Sequence, residues 1–362
     1  MDFDLSPDQA ALRDAAREFL DAQCGPARVR TIHDGGQGWD SDLWQAMASQ
    51  GWLGVAVPED DGGLGLGAVE LAVLLEQAGR HVAPVPLLPT LMAIELVRRS
   101  EDRALLEPLV DGSRTACVVW SAGTSSVRAS QHGAGWRLDG RSDPTVFAPV
   151  ANLAVVIAES ADGPGVFIAD LDVLGRPGIE PAMDLTRPIG WLEFAAAPAV
   201  RLGDSELAEY ALDFGATAVA LELLGASEIA LEMAVQYAKD RVQFGRPIGS
   251  FQAVKHRCAD MLVDVEGMRS SAYWAAWCLG VGDDDRAIAA STAKSWSGDA
   301  SKRVMAGALQ VHGGIGFTWE HDLHLWMKRA QLDQLTFGDS VWHRSRLGRL
   351  LRAKIDAGES VL

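Results

Sequence analysis

The chain of 362 residues is short of cysteine, of positive charge and of long apolar runs. Its four cysteines form no CxxC pair, which argues against a disulfide framework and against a zinc cage. No apolar run reaches ~18 residues, so we expect no segment to span a bilayer. The chain has 32 basic and 49 acidic residues, and the net charge of −17 argues against binding nucleic acid or anionic lipid.

The N-terminus is acidic and has no apolar core, so it does not resemble a secretory signal. Together with the few cysteines, this predicts a soluble, cytoplasmic protein. Common site motifs are also missing: no GxGxxG follows a strand, and there is no Walker loop, HExxH or GxSxG. The sequence therefore predicts no metal site.

Two weaker patterns have ordinary explanations. Ser291 and Lys294 have the SxxK spacing of some acyl-transferring serines, but they stand in an alanine-rich helical stretch without a companion motif. We expect plain helix surface there. His321 and His324 are three residues apart, and two histidines alone make a poor metal site. They are predicted to be a solvated or stacked pair.

The periodicity of apolar residues divides the chain into three predicted domains. Residues 1–112 read as helices, the first of them opened by a capping box at Ser6 and Gln9. Residues 113–202 carry short apolar segments separated by Gly, Pro, Asp and Ser, which predict a small antiparallel sheet or barrel. Residues 203–362 return to helical spacing and predict a bundle of four or five helices.

Two longer motifs lie in the third predicted domain. The first, RVQFGRPIGSFQ, runs from Arg241 to Gln252 and predicts a helix end, a turn and a new helix. An arginine at such a place can bind a phosphate with two parallel hydrogen bonds. The second, QVHGGIGF, begins at Gln310, and its glycines would let a ligand approach the backbone. Either motif alone could be an ordinary corner or a glycine-rich helix end.

Together, in this order, the two motifs resemble the acyl-CoA dehydrogenase family, and the PEDDGGLGL segment at 58–66 looks like that family's N-domain signature. The resemblance covers nearly the whole chain. It implies a mainly α fold with a helical N-domain, a β-barrel-like middle domain and a C-terminal four-helix bundle. It also implies FAD-dependent oxidation of an acyl-CoA to the trans-2-enoyl-CoA. In that reaction a carboxylate removes the α-proton, the β-hydrogen leaves as hydride, and an electron-transfer flavoprotein receives the electrons.

In this family FAD lies across a subunit interface, with the flavin ring in one subunit and the ADP half held by its neighbour. The resemblance assigns the two motifs to the neighbour's side. It implies that Arg241 and Gln243 contact the diphosphate and ribose region and that Phe244 packs on the cofactor. The wall near the adenosine half would be completed by Gln252, Gln310, Gly313 and Gly314.

The elements that would hold the chain's own flavin ring depart from the family pattern. A TEPGAGSD-like segment is expected where this sequence has WSAGTSS at 120–126. A WITN-like strand is expected where it has Pro144-Thr145-Val146-Phe147. Proline in place of tryptophan removes an aromatic ring and a strand N–H.

The usual catalytic base is replaced as well. Most members place a glutamate before a Gly-Thr pair near the C-terminus, and Phe337 occupies that position here. A minority place it on the long helix, where Gly215 stands, followed by Ala216 in place of an arginine. The weak substitutes are Glu222, two turns beyond Gly215, and Asp339.

By this resemblance, the sequence retains the residues that contact a neighbour's FAD. It lacks the residues that would hold the chain's own flavin ring and the catalytic base. This predicts a non-catalytic partner in a hetero-oligomeric acyl-CoA dehydrogenase, most similar to the actinobacterial α2β2 enzymes that shorten steroid side chains. A self-sufficient dehydrogenase whose base is Glu222 or Asp339 is the main alternative. A relative with another flavin-dependent activity and a purely structural protein are the others.

Overall fold

The computed structural model describes residues 4–36, 38–123, 126–133 and 135–360. The chain forms two compact units, each assembled from separate segments. One is built from Met1–Pro26, Ala72–Ala83 and Ala216–Leu362, and the other from Ala27–Leu71 and Pro84–Gly215. The three-domain division made from the sequence remains a prediction.

The N-terminal part is helical, as predicted. Its helices are α1 (Pro7–Gln23), α2 (Pro26–Gly35), α3 (Ser41–Ser49), α4 (Ala68–Arg80), α5 (Leu87–Arg99) and α6 (Leu106–Val110). The capping box is present, because the Gln9 N–H donates to Ser6 Oγ (3.2 Å) and the Ser6 N–H donates to Gln9 Oε1 (2.9 Å). Helix α2 gives little apolar periodicity, because only Val29 and His33 are buried in it.

The middle part carries most of the strands. They are β1 (Ala116–Val119), β2 (Val127–His132), β3 (Gly135–Arg141), β4 (Thr145–Val146), β5 (Leu153–Ser160), β6 (Gly163–Asp170), β7 (Ile189–Gly190) and β8 (Glu193–Gly203), with the short helix α7 (Leu171–Leu174) after β6. Six of them form one sheet in the order β1-β5-β2-β3-β8-β6. A further pairing of β5 with β6 closes this sheet on itself, as a barrel requires.

The predicted sheet was wrong in one respect. Strand β5 pairs in parallel with both β1 and β2, so the sheet is mixed rather than antiparallel. Parallel neighbours need a long connection, and alternation of apolar residues carries no information about such distant partners. Inside the barrel the apolar side chains form one buried cluster. The partly buried Trp136 packs against this cluster, with its ring centroid 5.1 Å from that of Phe167.

The C-terminal part contains α8 (Ser205–Asp240), the two-residue strands β9 (Val242–Gln243) and β10 (Arg246–Pro247), α9 (Gln252–Val281), α10 (Arg286–His312), α11 (Leu323–Leu335) and α12 (Ser340–Asp356). Helix α10 packs against α9, α11 and α12. Its buried positions are mostly Ala, Ser and Gly, which allow helices to approach closely. No helix in the described ranges is both long and apolar enough to cross a membrane.

Helices α4 and α8 cross at two glycines. A Cβ added at Gly225 would lie 1.9 Å from the Glu76 carbonyl oxygen, and one added at Gly79 would lie 2.2 Å from that of Glu222. The backbones therefore touch, and neither position has room for a side chain. Next to the crossing, the buried Glu76 carboxylate accepts from Arg269 Nη1 (2.7 Å) and from the Tyr273 hydroxyl (2.5 Å).

We predict that Gly225→Ala destabilises the protein although alanine favours helices. Forcing a methyl group between two touching backbones should cost roughly 1–3 kcal/mol. The matched control is Gly348→Ala on α12, where nothing lies within 4 Å of the added Cβ. That change should stabilise by roughly 0.5–1 kcal/mol. Urea unfolding measures both, and equal stability of the two variants would contradict the close crossing.

Candidate functional site

The Arg241 motif forms a small β-hairpin directly after α8. Gln243 pairs with Arg246, and Val242 pairs with Pro247, so the turn consists of Phe244 and Gly245. Both turn residues have positive φ, +53° and +75°, as a type I′ turn requires. Phe244 holds this conformation while its side chain is 92% exposed. The hairpin therefore presents an aromatic ring to solvent at its tip.

The hairpin and the start of α9 also carry exposed cationic and amide side chains. The Arg246 guanidinium lies 4.2 Å from the centroid of the Phe251 ring, which itself meets Phe244 edge-on at 6.2 Å. Arg241 is exposed, and among the described residues nothing pairs with its guanidinium. Gln243 is exposed and donates only to the neighbouring Val242 carbonyl (2.9 Å). Gln252 is exposed as the first residue of α9.

The glycine motif follows α10. Its Gly313 has φ +62° and ψ −139°, a conformation that only glycine adopts readily. No atom lies within 4 Å of a Cβ built at Gly313 or at Gly314, so the backbone is open on that side. Gln310, one turn earlier, is also exposed. The loop thus offers accessible backbone and one amide side chain.

A ring contact joins the two motifs. Tyr237, in the last turn of α8, stacks on His312, the last residue of α10, with ring centroids 4.8 Å apart and planes 30° apart. We call the following set of residues the clamp: the Arg241 hairpin, Gln252, Gln310 and the Gly313–Gly314 turn. An exposed guanidinium, an open ring face and bare glycine backbone fit the diphosphate and adenosine of a dinucleotide. The described residues of the clamp therefore suit the ADP half of FAD.

The position of the usual base lies in the turn between α11 and α12. Phe337 has φ +56° and is buried, and Gly338 follows with φ +93°. His343 Nε2 donates to the Phe337 carbonyl (2.7 Å). The Lys294 ammonium donates to the carbonyls of Gln334 (3.1 Å) and Gly338 (2.7 Å). Two buried donors thus fix this turn, with a hydrocarbon ring at its centre.

Lys294 corrects the interpretation of the SxxK pattern. Neither Ser291 nor Lys294 lies on the helix surface, since both are fully buried. Burial lowers the pKa of Lys294 to about 7, while Asp333 and Asp339 act in the opposite direction. The Ser291 hydroxyl accepts from Arg346 Nη1 (3.2 Å). The burial of these two residues could not be predicted from the sequence, because small residues stand on every face of this alanine-rich helix.

The other base positions lie on different elements. Gly215 and Glu222 both belong to α8, and Glu222 is buried beside the crossing with Gly79. Asp339 is the N-cap of α12, where its Oδ1 accepts from the Trp342 N–H (2.8 Å). The structure therefore gives the Asp339 carboxylate a capping role.

The barrel segments that replace the flavin-binding elements are only partly described. In the segment at 120–126, residues 124 and 125 lie outside the described residues. Phe147 has φ +63°, is buried, and donates its N–H to the Pro188 carbonyl (2.6 Å). Pro144 is exposed. Phe147, which directly follows β4, is thus buried and hydrogen-bonded within its own unit.

The histidine pair divides between two partners. His321 meets His312 at 4.3 Å between ring centroids, and His324 meets Trp319 at 4.9 Å. Each histidine thus meets another aromatic ring edge-on, and no stacking of the two histidines on each other is found among the described residues. The sequence interpretation gave no role to Tyr237 or His321. Their contact with His312 could not be predicted from residue spacing, because three separate segments supply the rings.

Among the described residues no cluster of His, Cys, Asp and Glu could hold a metal ion.

His343 should make stability depend on pH. Burial lowers the pKa of His343 to about 3, against about 6.5 in the unfolded chain. Between these values the unfolded state binds a proton that the folded state does not, so stability falls as pH falls. The expected slope is about 1.4 kcal/mol per pH unit.

His343→Gln should remove this contribution while its amide still donates to the Phe337 carbonyl. Urea unfolding at pH 7, 6 and 5 measures the difference between the two proteins. Parallel pH profiles would contradict the buried neutral imidazole.

Two models of one family match this chain. The acyl-CoA dehydrogenase N-terminal domain matches residues 6–99, and the C-terminal domain matches residues 205–351. FadE27 of Mycobacterium tuberculosis is 31% identical over 97% of this chain and 99% of its own length. IpdE2 of Mycolicibacterium smegmatis is 32% identical over 90% of this chain and 93% of its own. Both are acyl-CoA dehydrogenases by name.

Solved structures agree. The ChsE4-ChsE5 complex from Mycobacterium tuberculosis contains a chain that superposes with a TM-score of 0.90 at 31% identity, covering 97% of this chain and 99% of that one. A variant of the steroid ACAD Tcur3481-Tcur3483 gives a TM-score of 0.90 at 34% identity, covering 96% and 99%. The mainly α fold with a central β domain is thereby confirmed. The chain belongs to the acyl-CoA dehydrogenase family.

Proposed function

We propose that this chain is the non-catalytic subunit of an FAD-dependent acyl-CoA dehydrogenase. It holds the ADP half of a FAD whose flavin ring lies in a catalytic paralogue. The observation that carries the proposal is a contrast within one unit. The clamp side chains are exposed and chemically intact, whereas a buried phenylalanine occupies the usual position of the base.

The clamp acts by binding. Arg241 and Gln243 contact the diphosphate and ribose region, and Phe244 packs on the cofactor. Gln252 and Gln310 offer amide hydrogen bonds near the adenosine half, where the Gly313–Gly314 backbone allows close approach. When bound, FAD supplies the hydride acceptor of the reaction. None of these residues needs to transfer a proton.

The chain's own base is absent in this proposal. Phe337 has no group that can accept a proton, and its backbone is fixed by His343 and Lys294. Gly215 has no side chain at all. Since a positioned base contributes roughly 10²–10⁴-fold, a chain without one should turn over little substrate. The catalytic glutamate then belongs to the paralogue.

The assembly is a hetero-oligomer, with α2β2 as the simplest form. The names of ChsE4-ChsE5 and Tcur3481-Tcur3483 each couple two components, which supports a paired arrangement here. The second of these is named as a steroid ACAD, so CoA esters of steroid side chains are the proposed substrates. With half of the active sites given up, bulky acyl groups gain room. An electron-transfer flavoprotein receives the electrons.

A self-sufficient dehydrogenase with Glu222 or Asp339 as its base is the alternative. Asp339 is already used as a helix cap, and Glu222 lies at a crossing of touching backbones. The Asp339 carboxylate is therefore already engaged, and Glu222 is buried where the two helices touch, which favours the first proposal.

The first test is the cofactor content of the chain with and without a paralogue. Purified alone, the chain should be colourless, because it holds only one half of a dinucleotide. Co-expressed with a paralogue that retains the glutamate, it should yield a yellow complex. A lone protein that is yellow and bleaches with an acyl-CoA would refute the proposal. Glu222→Gln and Asp339→Asn would then identify the base.

The second test is Arg241→Ala in the complex. Loss of one charge-assisted hydrogen bond costs about 1.5–3 kcal/mol, so FAD affinity should fall roughly 10–100-fold. The matched control is Arg352→Ala on α12, where the arginine is 75% exposed and, within the described residues, paired only with Asp356 in its own helix. Fluorescence titration of the apo-complex with FAD gives both affinities. Equal affinity in the two variants would count against the clamp.

A further inference from the structure

Three rings from three segments meet behind the clamp. His312 ends α10, Tyr237 lies in the last turn of α8, and His321 precedes α11. The His312 ring is stacked on Tyr237 and meets the His321 ring at 62° between planes. His312 is 3% exposed, so its ring is enclosed rather than presented to solvent.

Hydrogen bonds set the proton positions on the two histidines. His312 Nδ1 donates to the Ala308 carbonyl (2.8 Å), which leaves Nε2 as a lone pair without a partner among the described residues. His321 Nδ1 instead accepts from the Leu323 N–H (3.2 Å), so its proton belongs on Nε2. Burial lowers the pKa of His312, because a second N–H would be enclosed without an acceptor. His312 is therefore neutral at pH 7.

The stacked pair is linked to both halves of the clamp through the backbone. The Arg241 N–H donates to the Tyr237 carbonyl (2.9 Å), so the Tyr237 residue fixes where the hairpin begins. Gly313 follows His312 directly and donates its N–H to the Leu309 carbonyl. A shift of the His312 ring would move the glycine turn relative to the Arg241 hairpin. No other described ring contact joins these two segments.

We propose that His312 is a positioning residue for the cofactor: its neutral ring, held between Tyr237 and His321, sets the spacing between the Gly313–Gly314 turn and the Arg241 hairpin. It thereby sets the affinity for the ADP half of FAD without touching the flavin ring. This rests on the function proposed above.

The test compares His312→Ala with His312→Phe in the complex with the paralogue. The alanine removes the stacked ring, and FAD affinity should fall about 10-fold, the effect of about 1.4 kcal/mol from a lost aromatic pair. Phenylalanine keeps the ring and should restore affinity to within about twofold. Tyr237→Leu removes the same stack from the other side and should match the alanine variant. His132→Ala, an exposed histidine on β2, is the control and should change nothing.

The midpoint potential of the flavin in the FAD-saturated complex separates positioning from general loosening. It should stay at the wild-type value in His312→Ala, because the ring acts on the ADP half only. A shifted potential, or equal loss of affinity in the alanine and phenylalanine variants, would overturn the proposal.

Two further results tell this proposal apart from the function on which it rests. If Arg241→Ala also leaves FAD affinity unchanged, the clamp itself is wrong. If Arg241→Ala lowers FAD affinity but His312→Ala does not, only the positioning role fails.

In the isolated chain, nitrogen-15 spectra of the histidines should show His312 protonated on Nδ1. Protonation on Nε2 would contradict the proposal without any cofactor present.

Discussion

The proposed FAD site depends on the stacking of Tyr237 on His312. This one contact brings together a hairpin and a glycine turn that are about seventy residues apart in the chain. Each motif alone is an ordinary helix end. Held side by side, they offer a cation, an aromatic face and open backbone in the combination that a dinucleotide requires. The imidazole of His312 is neutral in this stack, because its one ring proton lies on Nδ1 and is donated to the Ala308 carbonyl.

Backbone strain falls on the positions that the family resemblance singled out. Three of the five non-glycine residues with positive φ in the described chain are Phe147, Phe244 and Phe337. A bulky residue in this region costs of the order of 1–3 kcal/mol. Phe147 and Phe337 are buried and held by backbone hydrogen bonds, which offset the cost within the chain. Phe244 is exposed at the tip of its hairpin, and among the described residues no such hydrogen bond of its backbone is found, which supports the proposal that it packs on a bound molecule.

Much of this could be predicted from local pattern. Helical spacing predicted the helical N-terminal part, and glycine and proline predicted the turn after α8 and the loop after α10. Contacts between distant segments could not be predicted, because periodicity describes only one element at a time. This is why the parallel pairing of β5, the burial of Lys294 and the position of His321 against His312 were missed. The prediction that Phe337 stands in place of the base came from the family motif, and the structure adds the two donors that fix the turn around Phe337.

The most direct measurement is the number of FAD molecules in the purified complex, counted against its subunits by native mass spectrometry. If this chain contributes only the clamp, the complex should contain one FAD for each pair of this chain and its paralogue. Removal of the paralogue should release that FAD entirely. One FAD for every chain, or FAD retained by this chain alone, would contradict the account.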